Sequence, residues 1–477
     1  MAKKAELVFI PAPAIGHLIP NIEFATRLLD REDRFSVTVL VSSLVGDSSD
    51  TAAAYTQLFS ASDTRIRFIG LPQINAPFED FQKSPEKFFT DFIDSHKPYV
   101  KEAIIKHLLS DSVPIAGLVL DMFSTSMIDI GNELGVPSYS FFASSAAFLG
   151  LVLYLSARGS EEFEESDSET ADFFSYLNPV PHRVLPSFCF NKNGGYTTFQ
   201  NIGKRFKEMK GIFVNTYKEL EFHAVESLMK HDHIPPVYTV GPVIDFASRI
   251  QTQPSGVGTK RDEIIKWLED QPPSSVVFLC FGSGGSFREE QLREIAFALE
   301  QTGRRFLWSV RKPPPADKFE RASDYEGLDE ILPRGFLERT KGKGYLCGWA
   351  PQKEVLAHRA IGGFVSHCGW NSILESLWFG VPVVTWPMYA EQQINAFQMV
   401  KDLGLAVEMR LDYRKGGGEL VQADEIARAV ECVMDGGDEV RKRVKEASKK
   451  SRLALMNGGS SFDAYGRLIE DVLANMR

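Results

Sequence analysis

Two histidines stand where an apolar strand hands over to a helix, and each has neighbours that could make it chemical. His17 follows the run Glu6–Ile10 and the tight turn PAPAIG, at the start of a helix. A helix N-terminus disfavours imidazolium, so it would keep His17 neutral and able to act as a base. Asp121 directly follows the apolar run Ala116–Leu120, where a carboxylate is costly to bury without a partner. An Asp that accepts a His Nδ1–H fixes the tautomer and stabilises the imidazolium that forms. Each residue also has a plainer role open to it. His17 could cap its own helix or bond a loop carbonyl, and Asp121 could N-cap a helix beginning near Ser124.

The second histidine sits in a richer turn. Gly362–Ser366 has strand character, His367-Cys368-Gly369 is its exit, and Trp370-Asn371-Ser372 opens a helix running to about Phe379. A strand, a glycine turn and a helix N-terminus together present backbone N–H groups that attract phosphate. His367, Asn371 and Ser372 add side-chain donors, and Glu375 lies one turn further, placed to accept from sugar hydroxyls. An ordinary β–α turn with a capping Asn or Ser is the alternative. Three further loops follow strands in the same half. Gly282-Ser283-Gly284-Gly285-Ser286 can approach an anion through its backbone, although its spacing matches neither GxGxxG nor GxxxxGK[ST]. Trp349-Ala350-Pro351-Gln352 offers a flat ring for a base, or else a core Trp. Trp386-Pro387 through Glu391-Gln392-Gln393 could read neighbouring sugar hydroxyls, or simply be a Glu-containing helix start. His367-Cys368 lacks a second ligand pair at metal-binding spacing.

These loops need strands and helices to carry them. Glu6–Ile10, Ser36–Val41, Arg65–Leu71, Ala116–Leu120, Ile212–Asn215 and Val237–Val240 are short apolar or β-branched runs. Helical stretches such as Leu18–Asp30 and Lys87–Leu109 alternate with them. The polar stretch 245–260 interrupts the pattern and predicts a linker, after which strands and helices resume at Ser275–Phe281. Lys312–Glu330 predicts a charged surface loop; Val421–Met434 and Asp438–Arg477 predict helices. Such alternation implies parallel sheets covered on both faces, in two doubly wound halves that face a cleft. The stretch Val136–Ala157 is uncharged and long enough to span a bilayer, but it divides into a strand and a buried helix that begins at Ser144-Ser145.

Composition narrows the function classes. With 53 Lys+Arg against 63 Asp+Glu, the 477-residue chain has a formal net charge of −10. A dedicated nucleic-acid binder needs clustered positive charge instead. The five cysteines are odd in number and lack a CxxC pair, which predicts a reduced, cytoplasmic chain with neither a disulfide framework nor a zinc site. Pro11, Pro13, Gly16 and His17 break the N-terminal apolar run, against a signal peptide, and no lipidation signal ends the chain.

The segment Trp349 to Gln392, WAPQKEVLAHRAIGGFVSHCGWNSILESLWFGVPVVTWPMYAEQ, resembles the signature box of plant family 1 UDP-sugar glycosyltransferases. The PAxGH turn, the IPPVYxVGP segment, the FGSxxxF loop and the LPxGFLER stretch extend the resemblance across the chain. It is closest to the branch that glucosylates flavonoids, other phenolics and terpenoids. The resemblance implies a GT-B fold. It implies an N-terminal acceptor domain over 1–244, a linker over 245–260, a C-terminal UDP-sugar domain over 261–455, and a final helix over 456–477 packed back on the first domain. It implies an inverting, metal-independent hexosyltransferase that takes UDP-glucose as co-substrate, with no cofactor.

By position, Trp349 would stack on uracil and the Ala350 backbone would bond its edge. Gln352 and Glu375 would bind ribose. His367, Asn371, Ser372 and Ser283 would hold the diphosphate. Trp370, Glu391 and Gln392 would bind glucose; Glu391 replaces the Asp common there, and Gln392 is associated with glucose. His17 would be the base and Asp121 its partner. Acceptor-binding candidates are Phe123, Phe142 and Tyr389, with the stretch Phe188–Tyr196 and Ser286-Phe287. The expected partners are a small apolar acceptor and a UDP-sugar, with no nucleic acid, no membrane and a monomeric state. Competing readings are another donor sugar, N-, C- or S-transfer, or a non-catalytic sugar-nucleotide binder. A dinucleotide dehydrogenase would need the GxGxxG that the chain lacks.

Overall fold

The computed structural model describes residues 4–44, 64–75, 77–107, 113–159, 162–166, 168–246, 257–315, 322–436 and 438–476. Most of the expected linker, residues 247–256, lies outside them, as do 316–321 of the expected surface loop. The chain divides into two compact units. The first holds Met1–Pro179, Ser187–Arg249 and Arg452–Arg477; the second holds Val180–Pro186 and Ile250–Ser451.

The first unit is built on seven parallel strands: β1 Ala5–Ile10, β2 Phe35–Val41, β3 Ile66–Gly70, β4 Ile115–Leu120, β5 Ser138–Phe142, β6 Ile212–Val214 and β7 Val237–Thr239. Their spatial order is β3-β2-β1-β4-β5-β6-β7. β1, β4 and β5 are buried at every residue, as strands covered on both faces must be. The order reverses between β1 and β4, and in open α/β sheets ligands bind outside the strand ends at such a switch point. The chain leaves β1 through a turn into α1, Ile15–Leu29.

The uncharged stretch resolves into β5 and the buried helix α2, Ala146–Ala157. Ser145 Oγ caps the Phe148 N–H at 3.1 Å. The Glu221 carboxylate accepts from the Ala146 and Ala147 N–H groups at 2.8 and 3.0 Å, matching the positive end of the helix dipole. No helix among the described residues is long and apolar enough to cross a membrane.

Two predicted helices are each divided. Lys87–Leu109 is Pro85–Asp94 followed by Lys97–His107. Pro98 suits the restart, because a proline in the first turn of a helix removes no intrahelical hydrogen bond. The C-terminal stretch breaks at Gly458, with φ of +80°, into Asp438–Leu455 and Ser460–Ala474. The latter helix belongs to the first unit. There Ser461 Oγ donates to the Gly241 carbonyl at 2.5 Å, Asn475 Nδ2 to the Tyr139 hydroxyl at 3.0 Å, and Arg31 lies over the Phe462 ring at 3.5 Å.

The second unit repeats the plan with six parallel strands: β8 Val276–Cys280, β9 Arg305–Ser309, β10 Gly344–Cys347, β11 Ile361–Ser366, β12 Val383–Thr385 and β13 Ala406–Val407. The order is β10-β9-β8-β11-β12-β13, the arrangement of a dinucleotide-binding sheet, with its switch point between β8 and β11. Within and beside the expected loop Lys312–Glu330, Arg311–Lys312 pairs antiparallel with Ser323–Asp324.

Candidate active site

In the first unit the switch point brings together two residues that are 104 positions apart. His17 Nδ1 bonds Asp121 Oδ2 at 2.8 Å. The loops that carry them are tied at their roots: the Asp121 N–H donates to the Ile10 carbonyl at 3.3 Å, and Ser124 Oγ to the same carbonyl at 2.5 Å. Asn21 Nδ2 grips the His17 carbonyl at 2.9 Å. Asp121 serves both roles open to it in the sequence. Oδ2 holds His17, while Oδ1 accepts the Phe123 N–H at 3.1 Å and caps the 3-10 turn Met122–Met127. The carboxylate side chain is 1% exposed and the imidazole 24%, so one partner is walled in and the other faces outward.

The wall around His17 is aromatic. Phe123 lies 5.6 Å from the imidazole, and Phe89 and Phe199 lie 5.7 and 6.2 Å from Phe123, ring centre to ring centre. Phe81 follows at 6.0 Å from Phe89. Phe81 and Phe89 are half-buried and stand on short helices before and after Ser84. Phe142, by contrast, is fully buried between Phe148 and Phe206, at 5.8 and 5.7 Å. Phe188 and Tyr196 are also core residues, and their rings and that of Phe142 face packing rather than solvent.

In the second unit the loops after β8 and β11 meet at the switch point. His367 is 7% exposed and its Nδ1 is buried without a hydrogen-bond partner. Burial holds the imidazole down, from 6.5 to about 4, so it is neutral and can donate one hydrogen bond but no charge. Its ring fills the space that side chains at Gly282 and Gly369 would need: a Cβ there would sit 2.6 and 2.7 Å from Nε2. Helix α3, Trp370–Phe379, starts immediately, with its first intrahelical bond from the Ile373 N–H to the Gly369 carbonyl at 3.0 Å. The N–H groups of residues 370–372 precede that bond, in the first turn of the helix. Cys368, in the loop after β11, has a positive φ of 60°, and Ala390, in the loop after β12, one of 56°, a local strain that clusters at functional sites.

The other expected donor residues surround this turn. Gln352, on helix α4 Gln352–Ala357, donates to Ser372 Oγ at 2.9 Å and Glu375 Oε2 at 2.7 Å. Trp349 is half-buried after β10, with Ala350 buried beside it. Trp370 is 2% exposed, so its ring belongs to the core and only its backbone belongs to the turn. Ser283 is exposed, Asn371 and Glu391 are half-buried, and Tyr389 is 36% exposed. Gln392 Oε1 accepts the Met388 and Tyr389 N–H groups at 2.9 and 3.1 Å, so only its Nε2 end can meet a sugar hydroxyl.

Comparison with known proteins decides the family. Residues 228–442 match the model of the UDP-glucoronosyl and UDP-glucosyl transferases. UDP-glycosyltransferase 71K2 of Pyrus communis is 52% identical over 99% of this chain and 98% of its own. UDP-glucose flavonoid 3-O-glucosyltransferase 6 of Fragaria ananassa is 48% identical over 99% of both chains. The crystal structure of Medicago truncatula UGT71G1 complexed with UDP-glucose superposes with a TM-score of 0.90, at 45% identity and 98% coverage of each chain. The chain belongs to the plant family 1 UDP-glycosyltransferases. It is therefore a glycosyltransferase of GT-B fold that draws on a sugar-nucleotide donor. In this glycosyltransferase the sequence reading missed Phe81 and Phe89. FEDFQKSPEKFFTDF breaks at Ser84-Pro85, so neither helix shows a full period, and only the density of Phe marks the segment.

Proposed function

We propose that the enzyme transfers glucose from UDP-glucose to a hydroxyl of a flat apolar acceptor, a flavonoid, another phenolic or a terpenoid, with inversion at the anomeric carbon. The observation that carries this reading is the His17–Asp121 pair at the first switch point. His17 donates its Nδ1–H to Asp121, which leaves Nε2 as the acceptor. Nε2 takes the proton from the acceptor hydroxyl as that oxygen bonds the anomeric carbon. The bond from that carbon to the β-phosphate oxygen breaks, and its electron pair leaves with UDP. Asp121 stabilises the imidazolium.

The second unit supports the donor half of the reading. A diphosphate oxygen would complete the buried, unpartnered His367 Nδ1 and meet the N–H groups that open α3. Ser283, Asn371 and Ser372 add donors, Trp349 a stacking face, Gln352 and Glu375 the ribose contacts, and Glu391 and Gln392 the glucose contacts. Fixed dipoles of this kind stabilise the charge developing on UDP. In this reading no metal takes part. Free cysteines throughout suit a cytoplasmic enzyme, and a monomer follows from the family resemblance.

The test is UDP release with UDP-glucose, UDP-galactose and UDP-glucuronate against a panel of phenols, terpenoid alcohols, amines and thiols, with product mass spectrometry. One hexosyl unit added to a hydroxyl, fastest from UDP-glucose, is expected. Faster transfer from another donor or to nitrogen or sulfur would overturn that part of the reading, and UDP binding without release would overturn transfer.

A further inference from the structure

Lys415 lies outside the motif box, yet it joins two of the loops that surround the donor turn. Its Nζ donates to the Gly284 carbonyl at 3.0 Å and to Ser286 Oγ at 2.8 Å, on the loop after β8. Its own N–H donates to the Met388 carbonyl at 2.8 Å, on the loop after β12. Neighbouring bonds run the same way. Gln393 Nε2 donates to the Tyr413 carbonyl at 2.9 Å, and Gln392 holds the Met388 and Tyr389 N–H groups. The Tyr389 hydroxyl closes on Gly284, where a Cβ would come within 2.8 Å of it.

The ammonium is not spent on charge. Among the described residues Lys415 makes no ion pair. Glu419, which lines the same cavity of about 530 Å³, is engaged by Arg410 at 2.7 Å. Lys415 is exposed overall, yet crowding by the loop holds its ammonium below the usual lysine range. A lysine that spends its donors on a carbonyl and a hydroxyl fixes geometry, and charge-assisted bonds are the stronger kind for that purpose.

We propose that Lys415 is a positioning residue for sugar transfer. It locks the Gly284–Ser286 segment to the Met388–Gln392 turn and so sets the distance from Ser283, on the diphosphate, to Glu391 and Gln392, on the sugar. This rests on the donor assignment above. The test compares Lys415→Met, which keeps the length and loses the donors, with Lys415→Arg in the full chain. Calorimetric UDP titration, separate KM values for donor and acceptor, and the melting temperature are measured.

Loss of charge-assisted bonds in Lys415→Met is expected to raise the UDP-glucose KM and weaken UDP binding about tenfold. The acceptor KM and melting temperature should hold, and Lys415→Arg should recover most of the loss. Wild-type donor KM and UDP affinity in Lys415→Met would overturn the inference. So would a parallel loss of donor KM, acceptor KM and melting temperature, which marks a merely structural role. Wild-type protein that binds no UDP would overturn the donor assignment and this inference with it. If it binds UDP but transfers no sugar, only the reaction falls, and the UDP affinities still decide the role of Lys415.

Discussion

The two units use one topological device for opposite chemistry. Each folds a parallel sheet whose strand order reverses beside its first strand, and each places candidate residues in the two loops at that reversal, the second unit adding the loops after β10 and β12. The first unit fills the place with side chains that can move a proton, an outward imidazole braced by a buried carboxylate. The second fills it with glycines, a neutral histidine and the start of a helix. Neither His17 nor His367 is interpretable from residue type alone. The carboxylate beside one and the apolar enclosure of the other set what each can do. A −10 chain gives a dianionic donor no long-range attraction, so the second site has to rely on local dipoles.

If that contrast is right, breaking the first site should stop chemistry and spare donor binding. His17→Ala is expected to lower kcat for aliphatic alcohols by about 10³-fold, within the range for a lost general base. Acidic phenols, which need less help, should lose less, and UDP affinity by calorimetry should not change. Near-normal turnover of an alcohol would remove His17 from the role. Asp121→Asn should cost about 10²-fold in kcat, the low end of the range for acid–base catalysis, through the wrong tautomer and a less stabilised imidazolium. Because Oδ1 can still accept the Phe123 N–H, the fold should survive, which circular dichroism and the melting temperature will check.

Contiguous signals were the legible ones. Strand β1, the turn before His17 and the whole run from Trp349 to Gln392 are local patterns, and hydrophobic runs of strand length announce the sheets. The His17–Asp121 pair is legible in the sequence because Asp121 ends one apolar strand and His17 follows the turn that leaves another, although only the three-dimensional register shows one carboxylate serving two partners. What stayed hidden depends on contacts between segments that carry no period. Phe142 looks the same as Phe123 in sequence, yet one is sealed between Phe148 and Phe206 while the other touches His17. Lys415 sits in a polar, glycine-rich stretch, and nothing local shows that its ammonium reaches back to Gly284. The ring of Trp370 turned inward for the same reason: a residue's place in a motif does not say whether its side chain or its backbone faces the ligand.

The enclosure of His367 makes a prediction about pH. Its folded-state value of about 4 lies below the ordinary 6.5, so the unfolded chain binds more protons across that window. The stabilisation is complete above 6.5 and is lost as pH falls through the window, by about 3 kcal/mol at most. His367→Gln, neutral throughout, should flatten that part of the curve. Urea unfolding of both proteins near neutrality and at about pH 4.5 measures it. Equal slopes would mean that the ring is not enclosed, and the contrast between the two histidines would weaken.

A smaller change probes the glycine side of the comparison. Gly282 has a φ of +74°, which a side chain adopts only with strain, and an added Cβ would lie 2.6 Å from His367 Nε2. Gly282→Ala must therefore push the imidazole or the loop aside, which would displace the proposed diphosphate donor without touching the proposed acid–base pair. Loss of one aligned, charge-assisted hydrogen bond predicts about tenfold weaker UDP binding. The dependence of kcat on acceptor acidity should stay as in the wild type, since His17 and Asp121 sit in the other unit. A mutant that binds UDP normally would show that the close packing of glycine on His367 is incidental. One that altered the acceptor dependence as strongly as His17→Ala does would show that the division of labour between the two units does not hold.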